Sequence, residues 1–360
     1  MTPRLAHAQL HPGALRHNLR VARTAAPTAR VMACIKAEGY GHGLAFVART
    51  VAAEADSLAI ACVGEGVALR EAGFTDHPIC VLNGPADRGE LAAAREWRLE
   101  PVIHQPWQVA ALAELPPPAD LPVWLKINSG MGRIGIPPAE AKSWHARLQA
   151  SPAVAATGLM THMACADDRS DDYTHRQYAT FEQAGAGLSG PRSVANSACV
   201  LGWPDTHGDV VRPGIMLYGC SPFVEGAESA LGLEPAMTLR APLIGINQMT
   251  RGDFVGYGCT WQVPEDMPVG VVGIGYGDGY PRGIHNGTPA LLRGQRVPIV
   301  GRVSMDKITI DLRGVDAAVG DDVTLWGRGL PVEEIATATG TIGYELLCGV
   351  HGRVPMTVTD

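Results

Sequence analysis

The residues best suited to chemistry stand in one stretch, Val31-Met-Ala-Cys-Ile-Lys-Ala-Glu-Gly-Tyr-Gly-His-Gly43. The apolar run Val31 to Ile35 reads as a buried strand. It ends in Lys36, and a Gly-rich turn carrying Tyr40 and His42 follows. Apolar surroundings shift an ammonium towards its neutral, nucleophilic form, which is what a Schiff-base lysine needs. The backbone N–H groups of a flexible turn and a tyrosine hydroxyl suit a phosphate. A lysine beside a phosphate cradle points to pyridoxal phosphate. The same residues also read as a strand-end lysine facing water beside an ordinary glycine turn. The rest of the chain decides between the two.

Such groups need elements to position them. From residue 12 to about 220, short apolar runs alternate with Ala-rich stretches of helical spacing. The runs are 31–35, 57–63, 78–82, 101–103, 121–127, 155–163, 192–196 and 209–218. Helical stretches lie between them: Leu44–Ala55, Glu65–Ala72, Arg88–Trp97, Trp107–Leu115, Pro138–Ala150 and Asp172–Ala186. Apolar runs without alternation, each followed by a helix, predict a parallel sheet covered by helices. Eight of them fit an α/β fold of the TIM-like (β/α)8 barrel kind, with a doubly wound open sheet as the alternative. From about 232 the texture turns Gly-, Pro- and Val-rich. Strands are expected at 236–249, 269–274, 289–292, 297–300, 307–312 and 322–326, with one short helix at Val332–Thr339. This predicts a barrel over 11–231 and a mostly β domain over 232–360. Arg4 to Leu10 alternates like a strand, so segment 1–10 can join either domain.

Bulk properties narrow the function. The chain has 360 residues, 46% hydrophobic and 18% charged, with a formal net charge of −7. That charge argues against nucleic acid or a membrane surface as partner. No apolar run approaches a membrane span and the N-terminus lacks a signal core, so the cytoplasm is the expected compartment. Eight cysteines contain no C-x-x-C pair. Several sit in apolar runs (Cys34, Cys62, Cys80), so they are expected as buried reduced thiols, with no metal site.

In a parallel barrel, functional groups stand at the C-terminal strand ends. Lys36, Lys126, His162, Asn196-Ser197 and Arg212 all fall there. Each has a structural alternative: Lys126 snorkelling, His162 in the core, Arg212 paired with Asp209. Tyr276 stands among the glycines of 273–282, where a packed hairpin turn is the alternative. The segment Val300-Gly-Arg-Val-Ser-Met305-Asp306 interrupts a strand region, as a β-bulge also would.

With these motifs in order, the chain resembles the bacterial alanine racemase family along nearly its whole length. The matching segments are IKAEGYGHG (35–43), LKINSGMGRIG (125–135), THMA (161–164), ANSA (195–198), VRPGIMLYG (211–219), GYGDGYPR (275–282), VGRVSMD (300–306) and YELLCGVHGRVP (344–355). The resemblance implies interconversion of L- and D-alanine, for peptidoglycan or for D-alanine catabolism. It implies a barrel carrying pyridoxal phosphate and a homodimer with shared active sites. By resemblance, Lys36 carries the cofactor as a Schiff base and acts on one face of the substrate Cα, with Tyr276 on the other. Arg212 faces the pyridine nitrogen. Tyr40, Ser197, Gly214 and Ile215 contact the phosphate, and His162 and Asn196 belong to the same cofactor-binding set. Arg133 approaches the cofactor oxygen and the substrate carboxylate, which Met305 meets through its N–H. Lys126 matches a lysine that is carbamylated in some members. Glu38-Gly39, Asn128 and Gly352 depart from the usual pattern. The last stands where some members have a phosphate-binding tyrosine, which implies either somewhat weaker phosphate affinity or another group that compensates.

Two opposed bases suit racemisation, because one base does not easily reach both faces of Cα. Competing readings are a racemase for another small amino acid, a decarboxylase on the same architecture, and a non-catalytic pyridoxal phosphate-binding protein. Arg212 and Tyr276 argue against the decarboxylase, and the full second domain argues against the last.

Overall fold

Strands buried on both faces need apolar residues without alternation, and eight such runs pair here as one parallel sheet. The structure, a computed structural model, describes residues 5–224, 231–350 and 352–359. Arg4, His351 and residues 225–230, just before the expected domain boundary, lie outside the described residues. The chain opens with β1 (His7–Leu10). The parallel strands follow: β2 (Arg30–Cys34), β3 (Ser57–Ile60), β4 (Ile79–Val81), β5 (Glu100–Ile103), β6 (Leu121–Lys126), β7 (Val154–Met160), β8 (Arg192–Ser193) and β9 (Val210–Val211). They pair in the order β8-β7-β6-β5-β4-β3-β2-β9. The two end strands are then stitched to each other: Asp209 N–H donates to Arg192 O (2.9 Å) and Arg212 N–H to Ala195 O (2.8 Å). The sheet is therefore a barrel, and the open-sheet alternative is set aside.

The helices around it are α1 (Pro12–Ala25), α2 (Leu44–Val51), α3 (Val63–Glu71), α4 (Arg88–Glu96), α5 (Pro106–Glu114), α6 (Ala141–Gln149), α7 (Tyr173–Ala184) and α8 (Ser197–Gly202). The spacing of the sequence predicts six of these, but neither α1 nor α8. Helix α1 starts with Pro12 in its first turn and buries Ala14, Leu15, Leu19 and Ala22 on one face. The strand expected over 209–218 shrinks to two residues. Pro213 has no N–H to give a ladder, and a 3-10 turn occupies Ile215–Tyr218.

The second region contains β10 (Met237–Met249), β11 (Phe254–Val255), β12 (Trp261–Gln262), β13 (Met267–Val272), β14 (Pro289–Leu292), β15 (Gln295–Pro298), β16 (Ile308–Asp311), β17 (Asp322–Trp326), α9 (Val332–Thr339), α10 (Gly343–Cys348) and β18 (Met356–Val358). Its main sheet runs β15-β14-β17-β10-β1-β18, and β13 joins β10 to β16. The N-terminal strand thus sits in the β region, antiparallel to β10 and parallel to β18. This accounts for its alternation, with Ala8 and Leu10 buried. Helix α10 was not expected, because six residues are too few to display a period.

All eight cysteines are free. Cys34, Cys80, Cys199 and Cys220 are buried, but Cys62, Cys259 and Cys348 are exposed. Cys62 departs from expectation because its apolar run stops at Ile60, leaving it as the N-cap of α3. Among the described residues, no helix is long and apolar enough to cross a membrane.

Candidate functional site

A cavity of about 520 Å³ opens at the C-terminal ends of the barrel strands. Lys36 reaches it from the end of β2, Lys126 from β6, His162 from just beyond β7, and Arg212 from just beyond β9. Arg133 enters from the loop after β6. Two lysines, two arginines and one histidine therefore line the cavity, and none of its lining residues is Asp or Glu. The field inside favours an anion.

The backbone after Lys36 is unusual. Ala37, Glu38, Gly39, Tyr40 and Gly41 all have φ between +50° and +80°, one left-handed turn of five residues. Sequence reading anticipated only a flexible glycine turn there. Three of the five carry a Cβ, and each costs about 1–2 kcal/mol in this conformation. The turn ends under α10: a Cβ on Gly41 would lie 2.1 Å from Leu347 O. Lys36 itself is half-buried. The lysine taken fully out of water is Lys126, 7% exposed, whose pKa burial lowers well below the ordinary lysine value. Arg212 and Arg133 lower it further.

Arg212 is 3% exposed and has no carboxylate among its hydrogen-bond partners. Nη1 donates to Ser193 Oγ (2.6 Å), and Nη2 donates to Thr161 O (2.7 Å) and faces His162 Nδ1 (3.2 Å). The pairing with Asp209 that sequence left open is not made. The Asp209 carboxylate accepts from Arg192 N–H instead. Burial, with Lys126 and Arg212 adding to it, holds the His162 pKa well below the ordinary histidine value. A neutral imidazole with Nδ1 accepting carries its proton on Nε2.

At the other end of the cavity, Ser197 Oγ accepts from Gly214 N–H (2.8 Å). A Cβ on Gly214 would lie 2.6 Å from Tyr40 Oη, so only glycine permits this approach. Tyr40 stacks on Tyr218 at 4.5 Å, and the ring of Tyr344 stands 6.1 Å from it. Asn196 caps α8 by accepting from Cys199 N–H (3.0 Å), and Ile215 completes this wall. Gly352, expected to mark a missing tyrosine, does not line the cavity, whereas Tyr344 does.

Tyr276 and Met305 do not line this cavity. They stand together on the surface of the β region, 37% and 53% exposed. Gly277 N–H donates to Met305 O (2.9 Å), and Tyr276 N–H to Ser304 O (3.1 Å). Beneath them the buried Asp278 carboxylate accepts from Gly275 N–H and from Arg353 Nε. One chain thus builds two constellations: the cavity with Lys36, and the patch with Tyr276.

Residues 10–222 match the family profile "Alanine racemase, N-terminal domain", and residues 236–358 match "Alanine racemase, C-terminal domain". The chain belongs to the alanine racemase family. It is 52% identical to the alanine racemase of Halorhodospira halophila over 353 residues, covering 98% of this chain and 97% of the relative. It is 49% identical to that of Nitrosococcus oceani, with 98% of each covered. The crystal structure of the biosynthetic alanine racemase from Pseudomonas aeruginosa superposes with a TM-score of 0.95 at 43% identity, covering 99% of this chain and 100% of that one.

In this alanine racemase family member, geometry adds residues that sequence reading passed over. Tyr344 and Cys348 reach the cavity from α10. Ser193 holds Arg212 while donating to Val210 O (2.8 Å). Glu65 lies on α3, remote in sequence from the left-handed turn it contacts. A glutamate at the third position of a helix reads as an ordinary capping residue, so nothing in the sequence marked it.

Proposed function

We propose that this chain interconverts L- and D-alanine using pyridoxal phosphate, as a cytoplasmic homodimer whose sites are each completed by the second chain. One observation carries the reading: a cavity lined by two lysines, two arginines and a histidine, with no carboxylate and with Lys36 at a strand end. The cofactor fits the residues present. Its phosphate suits the hydroxyls of Tyr40 and Ser197 and the backbone at Gly214 and Ile215, where the missing Cβ leaves room beside Tyr40 Oη. Lys36 supplies the amine for its aldehyde. Arg212 is the residue for its ring nitrogen, with Arg133, His162 and Asn196 on the remaining wall. When bound, the cofactor supplies an electron sink for negative charge at the substrate Cα.

The protein's own part is proton movement and orientation. Lys36 Nζ takes or returns the α-proton on one face, and Tyr276 Oη of the second chain does so on the other. A phenol titrates near 10 and needs a donor to act as a base at neutral pH. His162, with Nε2 carrying its proton, is suited to donate to that oxygen. Arg212, a permanent cation, leaves the ring nitrogen unprotonated and the sink weak, which favours return of the proton to Cα. Arg133 and the Met305 N–H receive the substrate carboxylate. Lys126, whose pKa burial and the nearby Arg212 and Arg133 lower, is placed to take up CO2 through its unprotonated amine, forming an N–C bond and releasing one proton. The resulting anion would orient Arg133.

The absence of a membrane-crossing helix among the described residues and the eight free cysteines support the cytoplasmic reading. The test is a racemase assay across small L-amino acids, with cofactor absorbance read alongside. Wild type should bind pyridoxal phosphate and favour alanine. Lys36→Ala should lose the absorbance of the lysine-bound cofactor and the activity, with partial rescue by methylamine. Binding without turnover would select the non-catalytic reading, and preference for another amino acid would select the other racemase.

A further inference from the structure

Left-handed turns with three non-glycine residues persist only when their surroundings over-determine them. The turn from Ala37 to Gly41 is held at several points. Gly39 N–H donates to Ile35 O (2.9 Å) and Gly43 N–H to Glu38 O (2.7 Å). His42 Nδ1 meets Tyr40 O at 2.9 Å, and Leu347 O packs against Gly41. At the entrance to the turn, directly after Lys36, one side chain does the holding. Glu65 Oε1 accepts from Ala37 N–H (2.7 Å), and Oε2 accepts from Ala61 N–H (2.7 Å). Ala61 lies immediately beyond β3, the strand paired with β2. A single carboxylate therefore bridges the exits of two neighbouring strands.

We propose that Glu65 is a positioning residue for Lys36: its carboxylate clamps the left-handed turn to the end of β3 and thereby fixes where the Lys36 amine and the Tyr40 hydroxyl stand in the cavity. The proposal deepens the racemase reading and rests on it for the role of Lys36. The clamp itself is independent of that role. Both oxygens of Glu65 are needed, because both partners are N–H donors. A glutamine of the same shape offers one acceptor and turns an NH2 towards the second donor. The bonds it replaces are charge-assisted and stronger than neutral ones. Ala37 is the first strained residue and the one Glu65 holds. Glycine at 37 would enter the left-handed region without the Cβ penalty and need the clamp less.

The test compares wild type, Glu65→Gln, Ala37→Gly and the double variant as full chains. Hydrogen exchange of the segment 36–43 is measured before pyridoxal phosphate is added. The fraction of chains that borohydride converts to phosphopyridoxyl-Lys36 is then read by mass at limiting cofactor. Racemase kcat and KM complete the set. Glu65→Gln should speed exchange of the segment about tenfold, the loss expected for a backbone bond to a charged acceptor, while exchange in α1 stays at the wild-type rate. The trapped fraction and kcat should fall together, with KM for alanine little changed. In the Ala37→Gly background the same substitution should do markedly less, because the strained residue has been relieved. Unchanged exchange on Glu65→Gln, or an equal loss in both backgrounds, overturns the clamp. If wild type itself yields no trapped lysine, the cofactor reading fails, and exchange alone decides about Glu65.

Discussion

The guanidinium of Arg212 stands 3.2 Å from Nδ1 of His162 at the barrel mouth, Arg212 buried and His162 half-buried. A fixed cation against an imidazole acceptor is stable only while that imidazole is neutral. Burial enforces that state, and the basic side chains of Lys126, Arg212 and Arg133 around it act in the same direction. The same relationship orients the proton on Nε2 and leaves Arg212 without an acidic partner, which are the two properties the proposed chemistry uses.

A second imidazole makes the pH consequence measurable. Burial lowers the pKa of His42 from 6.5 to about 4, and its Nε2 has no partner. The folded pKa lies below the unfolded one, so the stability that comes with neutral His42 is complete above about 6.5. It is lost as pH falls towards 4. The loss is on the order of 3 kcal/mol over that window. Thermal midpoints should therefore drop between pH 6.5 and 4, and His42→Asn should flatten the drop. A variant with the wild-type slope would place the titration elsewhere.

Arg212→Glu should favour a protonated ring nitrogen and a stronger electron sink. We expect slower racemisation and a larger share of turnovers ending in transamination, measured as pyruvate from L-alanine. Near-ultraviolet circular dichroism checks that the buried substitution has not unfolded the barrel. A folded variant that loses activity without extra pyruvate would assign Arg212 to packing or cofactor affinity.

Much of this was readable from residue order. The apolar runs ending in Lys36, Lys126 and His162 gave the barrel and its functional rim, because periodicity reports burial on both faces and strand ends follow from where the run stops. Arg212 was placed on that rim, but its partners were not. Arg212 reaches Ser193 on the neighbouring strand while Asp209 is taken by the Arg192 N–H, and contacts between residues so far apart in sequence leave no local signal. The left-handed turn was invisible because Ala37 and Glu38 are not residues that announce a positive φ. It exists through contacts from Glu65 and α10, distant in sequence. Tyr344 escaped for the same reason, since a six-residue helix carries no period.

Lys126 predicts sensitivity to carbon dioxide. Its buried amine, lowered in pKa by desolvation and by Arg212 and Arg133, is shifted towards the neutral form that carbamylation needs. Depleting bicarbonate should lower activity reversibly, and Lys126→Ala should be inactive or weak with no bicarbonate response. Equal activity of wild type with and without bicarbonate, together with an unmodified mass under native conditions, would remove the carbamate from the mechanism.

Tyr276→Phe should distinguish the two faces. In deuterated solvent, exchange of the α-proton should be impaired unequally for L- and D-alanine, because only one direction begins with the phenol as acceptor. Loss of an acid–base group costs about 10²–10⁴-fold in the affected step. Equal impairment of the first exchange from both enantiomers would count against opposed bases.

The last prediction concerns where the second base comes from. Tyr276 and Met305 lie together on an exposed patch, outside the cavity that their own chain builds around Lys36. A two-fold dimer can set each patch against its partner's cavity and give two equal composite sites. Lys36→Ala and Tyr276→Phe chains, each inactive alone, are mixed under conditions that exchange subunits. With shared sites, every mixed dimer carries one site lacking both bases and one with both intact, so activity should return towards one working site per mixed dimer. If each chain closes its own patch over its own cavity, every site still lacks one base and mixing restores nothing. Exchange is verified separately, by native mass of differently tagged chains. Silence despite verified exchange would refute the shared site while leaving the roles of Lys36 and Tyr276 to their own tests.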